Sequence, residues 1–300
     1  MRRIASAASD GATFYLVPDG GLGIAFSTAY ARTAAKRCPR LVIHHRSYNH
    51  IRSKSKLMAL LMHTAPETTV HVFLDPIMEE RFKSIYSASV TSMYVPNAST
   101  CDITVRELAP RSTEHGGVTV GFLSNLVEEK GFDVVAEAFP ILAKRLGPAS
   151  RFLLAGHPVR GNNAALLSTL QSTLGDRLQY AGEVTGPAKV DFFRSCDVFV
   201  FPTRFAQEAQ PNVLYEAMAG GAAIVSTQWA GIPWMLEQTA SRLIEVGTGC
   251  VDALVEAVVD IVSSGELKTA RSRQMEAFQT KKSDADTRYA ELIDLLLGHA

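Results

Sequence analysis

Two carboxylates and one ammonium stand where predicted strands give way to predicted helices. The stretch FPTRFAQEAQPNVLYEAMAGG (201–221) carries Glu208 and Glu216 with seven residues between them, one ahead of a helix that starts near Asn212 and one inside it. Ionised carboxylates accept hydrogen bonds from vicinal hydroxyls. The first N–H groups of a helix, here Asn212 and Val213, lack intrahelical partners and can receive a phosphate. In GFLSNLVEEKGFDVVAEAF (121–139) a strand ends at Leu123, and the loop brings Ser124, Asn125 and Lys130 up to a helix that follows Gly131. An ammonium beside a helix start is well placed for phosphate oxygens. A third strand end, STQWAGIPWML (226–236), turns through Gly231 and Pro233. Together these residues suit a ligand that is both phosphorylated and polyhydroxylated. Taken singly they leave a plainer reading open: an exposed loop acid at Glu208, a salt-bridged Glu216 and an ordinary Lys-Gly turn.

Something must hold these loops in place. Apolar runs alternate with amphipathic stretches along most of the chain. The strand-like runs fall at 13–17, 40–45, 69–74, 117–123, 151–156, 178–182, 197–202 and 222–227, with helical patterns such as 132–146 and 189–196 between them. Short, continuously apolar strands separated by helices imply parallel sheets covered on both faces, an α/β architecture. In such sheets ligands bind beyond the carboxyl ends of the strands, where the three loops lie. The polar, turn-rich segment 97–117 is the expected domain boundary. The expected division is 1–110, 111–282, and a last helix over 283–300 with Ser283 as its N-cap and acids in its first turn.

The 300 residues suit two ordinary domains. No run of 18 apolar residues is present, so no membrane span is expected, and the N-terminal MRRIASAASDGATFY lacks the apolar core of a secretory signal. Cys38, Cys101, Cys196 and Cys250 stand far apart and read as reduced thiols of a cytoplasmic protein. Net charge is zero, yet residues 1–110 hold 13 bases against 8 acids, and no acid falls between Asp19 and Glu67. Within that span Arg46, Arg52, Lys54 and Lys56 lead into LMALLM (57–62), a pattern that fits either peripheral contact with an anionic membrane or a core helix with a solvated end. Nucleic acid is not among the expected partners.

The ordered series GFLSNLVEEKGF, LLAGHP, YAGEV, SCDVFVFPT and EAQPNVLYEAMAGGAAIVST with AGIP resembles the donor domain of the glycosyltransferase family 4 group. More loosely, LVIHHRSYNHI and VHVFLDPIMEERFKSIY with VPNA resemble the later part of that family's acceptor domain. The resemblance implies a GT-B fold, two Rossmann-like domains facing a cleft, with the first domain abbreviated at its N-terminus. It implies a retaining transfer from a nucleoside diphosphate sugar to a glycan, lipid-linked or other envelope acceptor, with no cofactor and no metal. Glu208 then faces the donor sugar, Glu216 holds ribose hydroxyls, Lys130 contacts the diphosphate and the backbone near Val184 borders the base. His45, with His44 beside it, becomes the expected active-site histidine.

The sequence departs from the family at Asn125, often Arg there, at Ala223, often Pro, and at Trp234, often Glu. The abbreviated first domain leaves a second expectation, an inactive or truncated relative that binds a sugar nucleotide or a partner protein. PDGGLGIAF (18–26) reads as a tight strand-to-helix turn lining the acceptor side. The acids Asp284 and Asp286 read as helix-start residues in place of metal ligands.

Overall fold

The computed structural model describes residues 12–101, 103, 116–157 and 162–298. Most of the expected boundary segment, and the N-terminal stretch read for a signal, lie outside the described residues. The elements alternate as the apolar runs foretold: β1 (Thr13–Leu16), α1 (Ile24–Ala34), β2 (Arg40–His44), α2 (Asn49–Arg52), α3 (Lys56–Thr64), β3 (Val70–Phe73), α4 (Pro76–Ile85) and β4 (Thr91–Tyr94). Then come β5 (Thr119–Leu123), α5 (Phe132–Arg145), β6 (Arg151–Ala155), α6 (Asn162–Leu174), β7 (Leu178–Tyr180), α7 (Gly186–Ser195), β8 (Val198–Phe201), α8 (Asn212–Gly220), β9 (Ala223–Thr227), α9 (Ile232–Met235), β10 (Ser241–Ile244), α10 (Cys250–Ser263) and α11 (Leu267–Leu297).

The chain divides into two compact units, and the first is assembled from three stretches, Met1–Ser99, Ala206–Gln210 and Lys282–Ala300. Its sheet has the order β1-β2-β3-β4, with every pairing parallel. Helix starts follow from local chemistry: Ser55 accepts from the Met58 amide to open α3, and Asp75 accepts from the Met78 amide at 2.7 Å ahead of Pro76. Val42, Val72 and Val95 form a core with Leu292, Leu295 and Leu296 from the end of α11.

The second unit, Thr100–Phe205 with Pro211–Lys281, holds an all-parallel sheet of order β10-β9-β8-β5-β6-β7. From β5 the chain first builds outward through β6 and β7, then returns to add β8 on the other side. The loops leaving β5 and β8 therefore diverge from neighbouring strands, the switch point at which open α/β sheets bind ligands.

The last helix differs from expectation. It starts at Leu267, and Ser283 sits in its interior instead of capping it. No Gly or Pro interrupts 267–297, and the i,i+4 pairs Lys282–Asp286 and Arg288–Asp284 hold the solvated face across the expected break.

Leu292 is 2 % exposed and shares a core with Val42, Val72 and Val95. Leu292→Ala should cost about 2–4 kcal/mol in urea unfolding. A change near zero would mean that the end of α11 contributes nothing to that core.

Candidate functional site

At the switch point of the second unit, β5 ends and Ser124 donates its amide to the Ala155 carbonyl. Asn125 is exposed, and a 3-10 turn over Glu128–Lys130 presents Lys130. Gly131, at φ 85°, closes the turn against β8: a Cβ there would stand 2.3 Å from the Pro202 carbonyl oxygen. Only glycine allows both the left-handed backbone and that approach. The turn is held from outside by Arg204, whose guanidinium donates to both oxygens of Asp133 and to Glu128, while its amide donates to the Glu129 carbonyl. The Lys130 ammonium lies 4.5 Å from the centre of the Phe205 ring. Phe205 is itself fixed, since its carbonyl accepts the Trp229 indole N–H at 2.8 Å.

A few residues further, α8 opens at Asn212 and Val213 with Pro211 as N-cap and no capping side chain. Its early N–H groups are thus left for an outside acceptor. Glu216 lies one turn inside, 7 % exposed, and its Oε1 accepts from Lys189 Nζ of α7 at 2.6 Å. Val184, Gly186, Pro187, Lys189 and Glu216 line a cavity of about 580 Å³, within the range of small-molecule sites. Ser124, Asn125, Lys130, Val184, Asn212, Val213 and Glu216 therefore all belong to the second unit, and Val184 and Glu216 share one cavity. Sequence reasoning missed Lys189, Arg204 and Trp229. Lys189 meets Glu216 through the packing of two helices, with 27 positions separating the residues, and no local spacing could announce that.

Glu208 falls elsewhere. Residues Ala206–Gln210 belong to the first unit, although the flanking chain belongs to the second. The Gln207 carbonyl accepts from the Tyr48 amide, the Ala206 carbonyl from Arg52, and the buried Gln210 amide donates to the Leu74 carbonyl at 2.7 Å. Asn97 donates to the Gln210 carbonyl at 2.8 Å. Glu208 is half-buried in this tethered stretch.

His45 is a correction. It is 0 % exposed, its ring stacks on Phe73 at 4.8 Å, and both nitrogens are engaged, Nδ1 with His50 and Nε2 with His71, each at 2.9 Å. A ring so enclosed cannot touch a ligand. Burial lowers His50 and His71 to about 4 and His45 well below its ordinary value, so all three rings are neutral at pH 7. His44 is also buried, with Nδ1 on the Tyr15 hydroxyl, and burial lowers it to about 3. The LMALLM run likewise turns inward: Met58 and Leu61 are fully buried, and Leu60 is its exposed large side chain. Among the described residues no helix is long and apolar enough to cross a membrane, and no group of three or more His, Cys, Asp or Glu is placed to hold a metal ion.

Residues 117–264 match the family described as glycosyl transferases group 1. The match falls on the second unit together with the Ala206–Gln210 loop. Among curated proteins the chain is 25 % identical over 247 residues to a GDP-mannose-dependent alpha-(1-6)-phosphatidylinositol monomannoside mannosyltransferase of Mycobacterium tuberculosis, covering 77 % of this chain and 62 % of that one. It is 30 % identical over 149 residues to the lipopolysaccharide core biosynthesis glycosyltransferase LpsE of Rhizobium meliloti, covering 49 % and 40 %. The chain thus spans less than two thirds of the length of these relatives. Among solved structures, the pneumococcal O-GlcNAc transferase GtfA, in complex with UDP and GlcNAc, superimposes with TM-score 0.75 at 13 % identity, over 99 % of this chain and 59 % of that one. Anabaena HepE in complex with UDP gives 0.75 at 15 % identity, over 98 % and 81 %. The fold is the GT-B fold of glycosyltransferases, with two parallel α/β sheets.

The neutral imidazoles of the first unit set an acid limit on the folded chain. Their folded pKa values lie below the ordinary 6.5, so the unfolded chain binds more protons between about pH 4 and 6.5. Stability from their burial is complete above pH 6.5 and drains as pH falls towards 4. From pH 7 to 5.5, His45, His50 and His71 together should remove roughly 3 kcal/mol. Urea unfolding at the two pH values measures this, and equal stability would show that the rings are protonated in the folded protein.

Proposed function

We propose that this protein transfers a sugar from a nucleoside diphosphate donor to a glycan or lipid-linked acceptor, with retention at the anomeric carbon and without a catalytic metal. The observation that carries the reading is the pairing, in one glycosyltransferase domain, of the Val184–Glu216 cavity with the Lys130 turn at the sheet's switch point. The cavity has the chemistry of a nucleoside site. Backbone near Val184 borders the base, and Glu216, already charged against Lys189, accepts the ribose hydroxyls. Lys130 and the first amides of α8 supply positive charge where a diphosphate leaves, which lowers the barrier without a bound cation. Ser124 and Asn125 add polar groups on the same loop. Glu208 is the residue for sugar positioning. The names of the mannosyltransferase and of LpsE support a lipid-linked or envelope glycan acceptor, and the UDP-bound structures support a nucleoside diphosphate donor.

The test is a panel of sugar nucleotides with lipid-linked and glycan acceptors, products read by mass spectrometry with the anomeric configuration assigned by NMR. Inversion at the anomeric carbon would refute retention, and donor binding without any product would leave a binding module instead of a transferase. Lys130→Ala should weaken nucleoside diphosphate binding by about 1.5–3 kcal/mol, the scale of a charge-assisted hydrogen bond. Equal calorimetric affinity in the variant would remove Lys130 from the phosphate site.

Glu216→Ala should lose nucleotide affinity, whereas Glu208→Ala should keep it and lose turnover. Normal nucleotide binding by Glu216→Ala would refute the ribose role. Activity should persist in a chelator, and its abolition would overturn the metal-free reading.

A further inference from the structure

The first unit holds a cavity that the proposed transfer does not use. It lies at the amino ends of β3 and β4, away from the loops that follow the strands, and measures about 610 Å³. Thr69 and His71 line it, with Lys54 and Glu67 as its charged residues and Tyr86 and Met62 among its walls. Thr69 is 2 % exposed, and its Oγ1 is buried with no hydrogen-bond partner. A buried hydroxyl left in that state is destabilising, so its persistence needs a reason. Tyr86 is no candidate partner, because its hydroxyl already donates to the His50 carbonyl and accepts from the Ser55 amide.

The imidazole chain supplies the second observation. His50 Nε2 meets His45 Nδ1, and His45 Nε2 meets His71 Nδ1, while His50 Nδ1 is buried without a partner. Each neutral ring has one donor and one acceptor, so the chain can point only two ways. Pointing towards His50 would bury an unpaired N–H at its end. Pointing towards His71 leaves there only an unpaired lone pair, the better tolerated of the two. The network therefore runs from His50 through His45 to His71, and His71 carries its proton on Nε2, the ring nitrogen left for the cavity. The His71 N–H and the Lys54 ammonium thus line the cavity, and the Thr69 hydroxyl lies buried just beneath its wall. Glu67 adds an acceptor.

We propose that this cavity binds a small oxyanion carried on a hydroxylated carbon skeleton, a sugar phosphate or a hydroxy acid, at a site separate from the donor site. The oxyanion takes the Thr69, His71 and Lys54 donors, and Glu67 accepts from the skeleton's hydroxyls.

Calorimetry on the full chain with glucose 6-phosphate, gluconate, inorganic phosphate and glucose tests it. At least one of the two hydroxylated anions should bind, and glucose should not. Competition by inorganic phosphate against glucose 6-phosphate identifies a phosphate ligand, whereas gluconate binding without such competition identifies a carboxylate. Thr69→Val keeps the side-chain shape and removes the orphaned hydroxyl. It should weaken binding at least fivefold with no loss of thermal stability, and the surface change Lys54→Gln should weaken it as well. The 15N shift of His71 Nε2 should move on titration. Failure of both anions to bind at millimolar concentration, binding of glucose as tight as that of the anions, or affinity unchanged in both variants would overturn the proposal. Lys130→Ala separates this site from the donor site: anion binding should survive it, and loss there would place the anion in the second unit.

Discussion

The close approach of Gly131 to the Pro202 carbonyl is the constraint on which the rest of the loops at the second sheet's switch point depend. Parallel β5 and β8 are neighbours whose chains leave in different directions, so the two loops meet close to the strand ends and then part. A Cβ at 131 would sit 2.3 Å from the Pro202 oxygen, so any side chain there would push the Glu128–Lys130 turn off β8. Everything around the contact reinforces it. Arg204 reaches from the β8 loop to Asp133 and Glu128, and Trp229 holds Phe205 from the end of β9. The ammonium of Lys130 is thus placed by backbone geometry and a braced aromatic ring, with less left to the freedom of a long side chain.

The two units treat buried polar groups differently. In the second, charge meets charge: Glu216 with Lys189, Arg204 with two acids. In the first, the buried histidines stay neutral and satisfy one another in a row, packed among Phe73 and Phe82. An ion pair keeps its partners charged across most of the pH scale, whereas an imidazole row rests on the absence of charge and yields to mild acid.

Much of this was legible in the sequence because the informative residues lie close together in the chain. The Lys130 turn and the Glu216 helix each fit within a dozen residues, and eight strands announced themselves as apolar runs. β4 and β10 did not, since TSMY and SRLI are edge strands of four residues with largely half-exposed side chains and no continuous apolar run. Ser283 misled because a residue type that caps helices is equally tolerated on a solvated helix face. His44 and His45 are adjacent and identical in letter, so nothing local could say that Phe73, Phe82, His50 and His71 would enclose one of them. The attachment of Ala206–Gln210 to the first unit rests on partners such as Leu74 and Asn97, more than a hundred positions away, and no window along the chain contains both ends.

That attachment governs how the protein can be taken apart. The first unit is closed only when the opening stretch, five residues of the Glu208 loop and the end of α11 are all present. No single cleavage point separates it whole from the second unit, and a fragment ending before residue 200 would lack both the Gln210 tether and the leucines that cover Val42, Val72 and Val95. A gene for the first unit by itself would have to rejoin distant stretches with new linkers. Exchange of this unit between related proteins by simple recombination at one boundary would therefore leave it with an open core.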